Sequence, residues 1–286
     1  MKTTKNSIIA IVLACMMVVG FTCNTNATKT ITIQTVNPNP SADKLLQAAS
    51  IISARLHQFS TETVEVAIQA KKNSIQVSIP DSMDIKTVES LITQEGKINF
   101  YTIYERTEFF GLIKNNKKLC SILGKSNTTN LEPKIGCWAV TEKLKINDYL
   151  KRLGQNKSYK FAWSRETDST SICLYALKLE KGNVLVLTGA DIENVQVKQD
   201  KARKINSVDF SFKGKAIKRW ADITKQNIGN SIAIVLDNTI LCAPRVNSSI
   251  DSGNCSISGN FTLTEVRLLA AFGNSEPLPL SFTVVK

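Results

Sequence analysis

The sequence is poor in the side chains that most often do chemistry. Its 286 residues include a single histidine, His57. No C-x-x-C pair occurs, and one histidine is too few for a Cys/His zinc site. The chain holds no G-x-S-x-G, no H-E-x-x-H and no Gly-rich phosphate loop. These absences argue against an enzyme, and no catalytic residue, cofactor-binding residue or metal ligand is assigned. His57 falls beside the apolar stripe of a helix, where a surface histidine is expected. Past the N-terminus, no uncharged stretch reaches the roughly 18 residues of a membrane-spanning helix. The mature chain is therefore expected to have no transmembrane span.

What is present is ordinary globular composition, 43% hydrophobic and 21% charged. The length suits two domains of roughly 100–150 residues. The first 27 residues stand apart. Lys2 and Lys5 precede the uncharged apolar run Ile8–Phe21, whose length fits a signal h-region of roughly 7–15 residues. Thr25-Asn26-Ala27 offers a small-residue cleavage site, so Met1–Ala27 reads as a signal peptide. Cys23 leaves an alternative open, because "VGFTC" approaches the signal of a lipid-attached cysteine, although Gly20 and Thr22 are atypical flanks. Retention of the segment as an anchor is a third reading. All three place the chain outside the cytoplasm, in the periplasm or cell envelope, soluble or tethered through Cys23.

Acids are scarce against bases, 24 to 36. The excess concentrates in Gly111–Lys160, with eleven Lys/Arg and three Asp/Glu. Such a segment is either a surface for anionic partners or a solvated face. Nucleic acid is not an expected partner of an exported chain with no recognised binding module. Of seven cysteines, Cys120, Cys137, Cys173, Cys242 and Cys255 lie beyond the signal region. Export permits disulfides. Cys242 ends one expected strand and Cys255 starts another, so this pair is the first candidate. Cys120–Cys137 would be the second, with Cys173 left over. The alternative is that all are small buried residues.

Periodicity orders the rest. Thr30–Val36 alternates as a strand. Leu45, Ala49, Ile52, Leu56 and Phe59 recur at helical spacing. Thr63–Ile68 and Ser74–Ile79 alternate around a loop as a hairpin. Ile85, Val88, Leu91 and Ile92 mark a second helix, ended near Gly96, and Lys97–Tyr104 is another strand. This is a βαββαβ order, the pattern of ferredoxin-like sandwiches. Glu105–Glu180 reads as a basic, loop-rich insertion, with a helix over Val140–Gly154. The C-terminal part repeats the βαββαβ order: Asn183–Gly189, Ile205–Phe212, a helix opened by Gly214, the hairpin Ser231–Cys242, Cys255–Phe261, a helix capped by Thr262 and Glu265, and Leu278–Val285. The expected fold is α+β, with two such units of antiparallel sheet. The expected segments are a signal peptide (1–27), an N-terminal base segment (28–104), the insertion (105–180) and a C-terminal head-like domain (181–286).

Three stretches carry a resemblance: "LTGADIENVQVKQD" (Leu187–Asp200), "ITKQNIGNSIAIVLDNTILCAPRV" (Ile223–Val246) and "IDSGNCSISGNFTLTEVRLLA" (Ile250–Ala270). They resemble the first periplasmic domain, with its head subdomain, of the SecD/SecDF family of protein-export translocase subunits. The segment from Leu45 to Ile92 is similar to the opening of the same domain. The resemblance implies a binding module that meets unfolded or emerging polypeptide, or membrane subunits of a translocase. The family's membrane helices and their proton-coupled movement have no counterpart here, so the motor is not implied. A cell-envelope scaffold that reuses the fold for another partner is the alternative. Asn-x-Ser/Thr sequons such as Asn247-Ser248-Ser249 would matter only in a glycosylating host.

Within these motifs Asp237 is the residue to explain. Asp237-Asn238 sits between two apolar runs, and both residue types tolerate the positive φ of a two-residue hairpin. A catalytic carboxylate would need a partner base, acid or metal, and the sequence offers none. Asp237 and Asn238 are read as turn residues. Gly189, Pro244 and Gly253 are read as backbone punctuation, and Gly259 as a left-handed or close-approach position.

Overall fold

The computed structural model describes residues 28–124, 133–152, 157–165, 170–179 and 186–285. The expected signal segment, with Cys23, lies outside the described residues, as do Gly154 and the start of Asn183–Gly189.

The base begins with β1 (Thr28–Thr35), α1 (Ala42–Phe59), β2 (Glu65–Gln69), β3 (Ser74–Pro80) and α2 (Ile85–Thr93). Each helix starts at a side-chain cap, which satisfies an otherwise orphaned amide. Ser41 Oγ accepts from the Lys44 amide at 3.4 Å, and Asp84 accepts from the Thr87 amide at 2.8 Å. The stripe Leu45, Ala49, Ile52 and Leu56 is buried as its spacing requires. In α2, Val88, Leu91 and Ile92 are buried, whereas Ile85 at the first turn is exposed.

The chain then runs through β4 (Ile98–Thr102), α3 (Arg106–Ile113), α4 (Lys117–Leu123), β5 (Gly136–Ala139), α5 (Lys143–Arg152), β6 (Tyr159–Ser164), β7 (Ser171–Lys178) and β8 (Leu187–Thr188). It closes with β9 (Ile192–Asp200), β10 (Ile205–Phe212), α6 (Lys215–Gln226), β11 (Ile232–Leu236), β12 (Thr239–Cys242), β13 (Asn254–Ser258), α7 (Leu263–Gly273) and β14 (Phe282–Val284).

The sheets are ordered β14-β1-β3-β2, β13-β10-β9 and β5-β7-β6-β12-β11-β4-β8. Among the named strands of the described residues, pairing is antiparallel except between β6 and β12, which run parallel. The α+β class with antiparallel sheets is thus present, but the strands are shared differently from the expected contiguous units. The strand expected to close the first unit, Lys97–Tyr104, does not join the base sheet. Its place beside β1 is taken by β14, with Ile33 opposite Val284. The reason is burial. Ile98, Phe100 and Ile103 are each at most 1% exposed, which suits a strand with a neighbour on each side. β4 accordingly lies between β11 and β8. The strands of the expected second unit are likewise divided among all three sheets. The middle of the chain is not a loop-rich insertion either. Its described residues supply three helices and three strands, and these strands extend the same sheet as β4 and the β11–β12 hairpin.

One continuous apolar core joins the base to the three-stranded sheet. It includes Ile33, Ile52 and Leu91 from the base and Phe210, Phe272 and Val266 from the C-terminal part. Phe100 sits where they meet, edge-on to Phe210, Phe212 and Trp220. A second cluster lies under α3, α4 and α5, around Phe109, Ile135 and Leu174. A third, around Tyr175 and Val235, also lines the seven-stranded sheet.

Candidate functional site

The hairpin β11–β12 turns at Asp237 (φ 47°) and Asn238 (φ 73°). Two consecutive positive φ values are the type I′ geometry that matches strand twist. The turn also makes a long-range contact. Asp237 Oδ2 accepts from the Gly96 amide at 2.8 Å, and Oδ1 accepts from the Lys97 amide at 2.7 Å. The Asp237 amide donates to Lys97 O at 3.1 Å. The carboxylate therefore clamps the chain just beyond α2, joining the hairpin to the base.

Behind this clamp stands Arg55, fully buried on α1. Its guanidinium donates to the carbonyls of Leu91, Gln94, Glu95 and Glu276 and to Ser275 Oγ, at 2.7–3.2 Å. Leu91 and Gln94 end α2, where carbonyls lack helical partners and the helix dipole is negative. Burial lowers the Arg55 pKa to about 10, opposed by the charge of Asp237. Gly96 fits beside it because it has no side chain. At φ +80°, a Cβ there would lie 2.3 Å from Arg55 Nη2.

Next to the hairpin is a groove of about 980 Å³. Its apolar lining comes from Leu236, Leu241, Phe261, Leu268, Leu269 and Phe272, and its charged lining from Lys86, Lys143, Arg165, Asp237 and Glu265. Leu236, Leu241 and Leu268 remain partly accessible, whereas Leu269 and Phe272 are buried. The N-terminus of α7 shapes one side. Its capping box is complete: Thr262 Oγ1 accepts from the Glu265 amide at 3.2 Å, and Glu265 accepts from the Thr262 amide at 2.7 Å. Arg165, at the end of β6, pairs with Glu265 and lies 4.5 Å above the Phe261 ring. It also donates to Asn260 O at 2.9 Å. Burial lowers the Arg165 pKa. The groove is thus bounded by the base, the hairpin, α7 and the middle segment together.

Other residues singled out in the sequence take structural places. Gly253 has φ +70°, and a Cβ there would press 2.9 Å from Ile217 Cγ1. Gly259 is not left-handed. It is a close-approach position, where a Cβ would meet the Phe261 ring at 3.3 Å. Gly189 opens a short 3₁₀ turn after β8, and Pro244 O accepts from the Ile232 amide at 3.1 Å. His57 is exposed, and its Nδ1 lies 2.7 Å from Ser53 O. Among the described residues no cluster of His, Cys, Asp and Glu could hold a metal ion, and no helix is long and apolar enough to cross a membrane.

The cysteine pairing corrects both expected bridges. The disulfide joins Cys137 to Cys173, which face each other across β5 and β7 with Cα atoms 4.0 Å apart. Cys120, Cys242 and Cys255 are free thiols. Cys242 and Cys255 belong to different sheets, so no register sets them opposite each other. Burial pushes both thiols up to about 12, with a smaller contribution from Cys255 on Cys242 and from Asp209 on Cys255. Sequence reasoning missed Arg55, Arg165 and also Asn274. The last of these accepts from the Val195 amide at 2.7 Å and donates to Val195 O at 2.8 Å, tying the end of α7 to β9. None of the three belongs to a local motif.

The fold and groove define an α+β domain in which a C-terminal head is clamped to a base by a hairpin tip. Residues 169–280 match the family model described as SecDF, P1 head subdomain. Over these residues the chain is thus similar to the head subdomain of the SecD/SecDF periplasmic domain. It is 38% identical over 100 residues to a protein translocase subunit SecD of Elusimicrobium minutum, covering 35% of this chain and 21% of that one. With SecD of Rickettsia prowazekii it is 26% identical over 238 residues, 83% of this chain and 38% of that one. The chain therefore spans well under half the length of these relatives. Among solved structures, one titled as a membrane component SecDF that enhances protein export aligns with a TM-score of 0.52 at 21% identity, over 90% of this chain and 98% of that chain. SecDF in a super-membrane-facing form aligns with a TM-score of 0.54 at 19% identity, over 90% of this chain and 29% of that chain. At these identities the structural likeness establishes the fold.

Proposed function

We propose that the chain is an exported accessory module of protein export that holds unfolded or emerging polypeptide in the groove beside the Asp237 hairpin. The observation that carries this reading is the lining of that groove. Partly accessible leucines on β11, β12 and α7 give an extended segment apolar surface for its alternate side chains. Lys86, Lys143 and Arg165 on one hand, and Asp237 and Glu265 on the other, give it charges of both signs at the rim. An apolar floor supplies affinity without sequence specificity, and the rim sets orientation and salt dependence. The edge strand β13 offers a second means, addition of an extended segment as a further strand. Membrane subunits of a translocase are the partners that the relatives' name suggests. The activity is binding, with no bond made or broken.

The test uses an exported protein held unfolded by substitution, against the same protein folded, at low and high salt. Saturable binding of the unfolded form only, weakened by salt, is the expected result. Equal affinity for both forms, or for neither, overturns the reading.

A further inference from the structure

Nearly all of the excess positive charge sits in the middle of the chain. Gly111–Lys160 holds eleven Lys/Arg and three Asp/Glu, whereas the rest of the chain past Ala27 is close to balance, with 23 Lys/Arg to 21 Asp/Glu. Two helices of this segment stand side by side, because Lys118 Nζ of α4 lies 5.6 Å from the centre of the Tyr149 ring of α5. Their outward surface carries Lys114, Lys117 and Lys118 on or just before α4, and Lys145, Lys151 and Arg152 on α5, all exposed. Acids are fewer there. Asp148 shares the outward face of α5, three or four positions from each of its three cations, and offsets one of them. Glu142, just before α5, accepts from the Ala139 amide at 3.4 Å.

The same face carries an apolar side chain. Leu144, Asp148, Lys151 and Arg152 recur along α5 at i, i+4, i+7 and i+8 and are exposed, whereas Ile146 on the other side is buried. Leu144 is 76% exposed, more than any other large apolar side chain among the described residues. A leucine left in water forgoes the free energy of burial, and this one stands between Lys143 and Lys145.

We infer that the outward surface of α4 and α5 docks on a bilayer face rich in anionic lipid. The six cations meet the head groups, and Leu144 enters the acyl boundary beneath them. A bilayer supplies both layers at every point, so the cations need no particular register. An acidic polypeptide would answer the charges alone. Lys143, at the start of α5, lines the groove, so docking through this helix holds the groove within about 15 Å of lipid, one helix length. The inference does not rest on what the groove binds.

Cosedimentation of the mature chain with vesicles tests it. Mixed phosphatidylglycerol–phosphatidylcholine vesicles should bind at least about tenfold more tightly than phosphatidylcholine alone, and high salt should remove the difference. Lys117→Glu/Lys151→Glu should weaken that binding at least about tenfold. Lys215→Glu/Lys218→Glu on exposed α6 makes the same change in net charge and should stay within about twofold. Leu144→Ser should weaken binding about threefold or more and leave the salt dependence unchanged. These side chains are exposed, and circular dichroism reports whether each variant folds. Equal binding to both kinds of vesicle overturns the inference. Equal loss from the α6 pair also overturns it, because attraction would then belong to the net charge of the whole chain. If polyglutamate binds more tightly than the vesicles at matched anionic charge and Leu144→Ser is silent, the partner is an acidic polypeptide and the inference fails.

Discussion

Asp237 carries a negative charge to the place where the hairpin, the end of α2 and buried Arg55 meet. Its two oxygens take one backbone amide each, from Gly96 and Lys97. Charge-assisted bonds of this kind are the stronger class. Asn tolerates the same positive φ, so Asp237→Asn keeps the turn but turns an amide group toward one of the two N–H donors. The expected loss is about 1–3 kcal/mol of stability, seen as a lower denaturation midpoint with an unchanged slope. Asn238→Gly, which keeps the turn and removes no amide partner of Gly96 or Lys97, should lie within about 0.5 kcal/mol of the parent. If Asp237→Asn is equally silent, the carboxylate is only a turn residue. Gly96 shows the same junction from the other side, since both its φ and the nearby Arg55 Nη2 exclude a side chain.

Among the elements, those specified by neighbours in sequence were readable in advance. The α7 capping box, the α1 stripe and the Asp237-Asn238 turn each depend on residues within a few positions. Partners chosen by tertiary packing were not. The alternation of Lys97–Tyr104 says that it is a strand, not which sheet receives it. Nothing local to Phe282–Val284 says that it returns to β1. The groove was legible only in part. Its hairpin and the α7 cap could be read, but Arg165 arrives from β6 across 100 residues to meet Glu265. The disulfide failed for the same reason, because the pairing of Cys137 with Cys173 needs the β5–β7 register. Non-reducing peptide mapping should find Cys137 linked to Cys173. It should also find Cys242 and Cys255 resistant to iodoacetamide at pH 8 until the chain unfolds. Both thiols titrate near 12 in the fold against 9.0 ordinarily. The unfolded chain therefore loses these protons first, so their contribution to stability is constant at neutral pH and falls as pH rises from about 9 toward 12. A linked Cys242–Cys255 peptide would contradict the pairing.

For the whole molecule, the base and the C-terminal part share one core, and the middle segment extends the sheet that holds the hairpin. The groove lies where all of them meet, so its shape depends on the assembled chain rather than on any one element. Its floor is apolar and its lining carries both charges, the features that the proposed retention of extended polypeptide would use. The most direct measurement places a photoreactive phenylalanine analogue at position 268, in place of Leu268 on the groove floor. A second chain carries it at position 65, in place of exposed Glu65 on the edge strand β2 of the base. Each is irradiated with an unfolded exported protein and with its folded form. Crosslinks are expected from position 268 to the unfolded form alone, suppressed by excess unlabelled unfolded protein, and few from position 65. Binding of the unfolded protein with no crosslink from 268, or equal crosslinks from both positions, would contradict it.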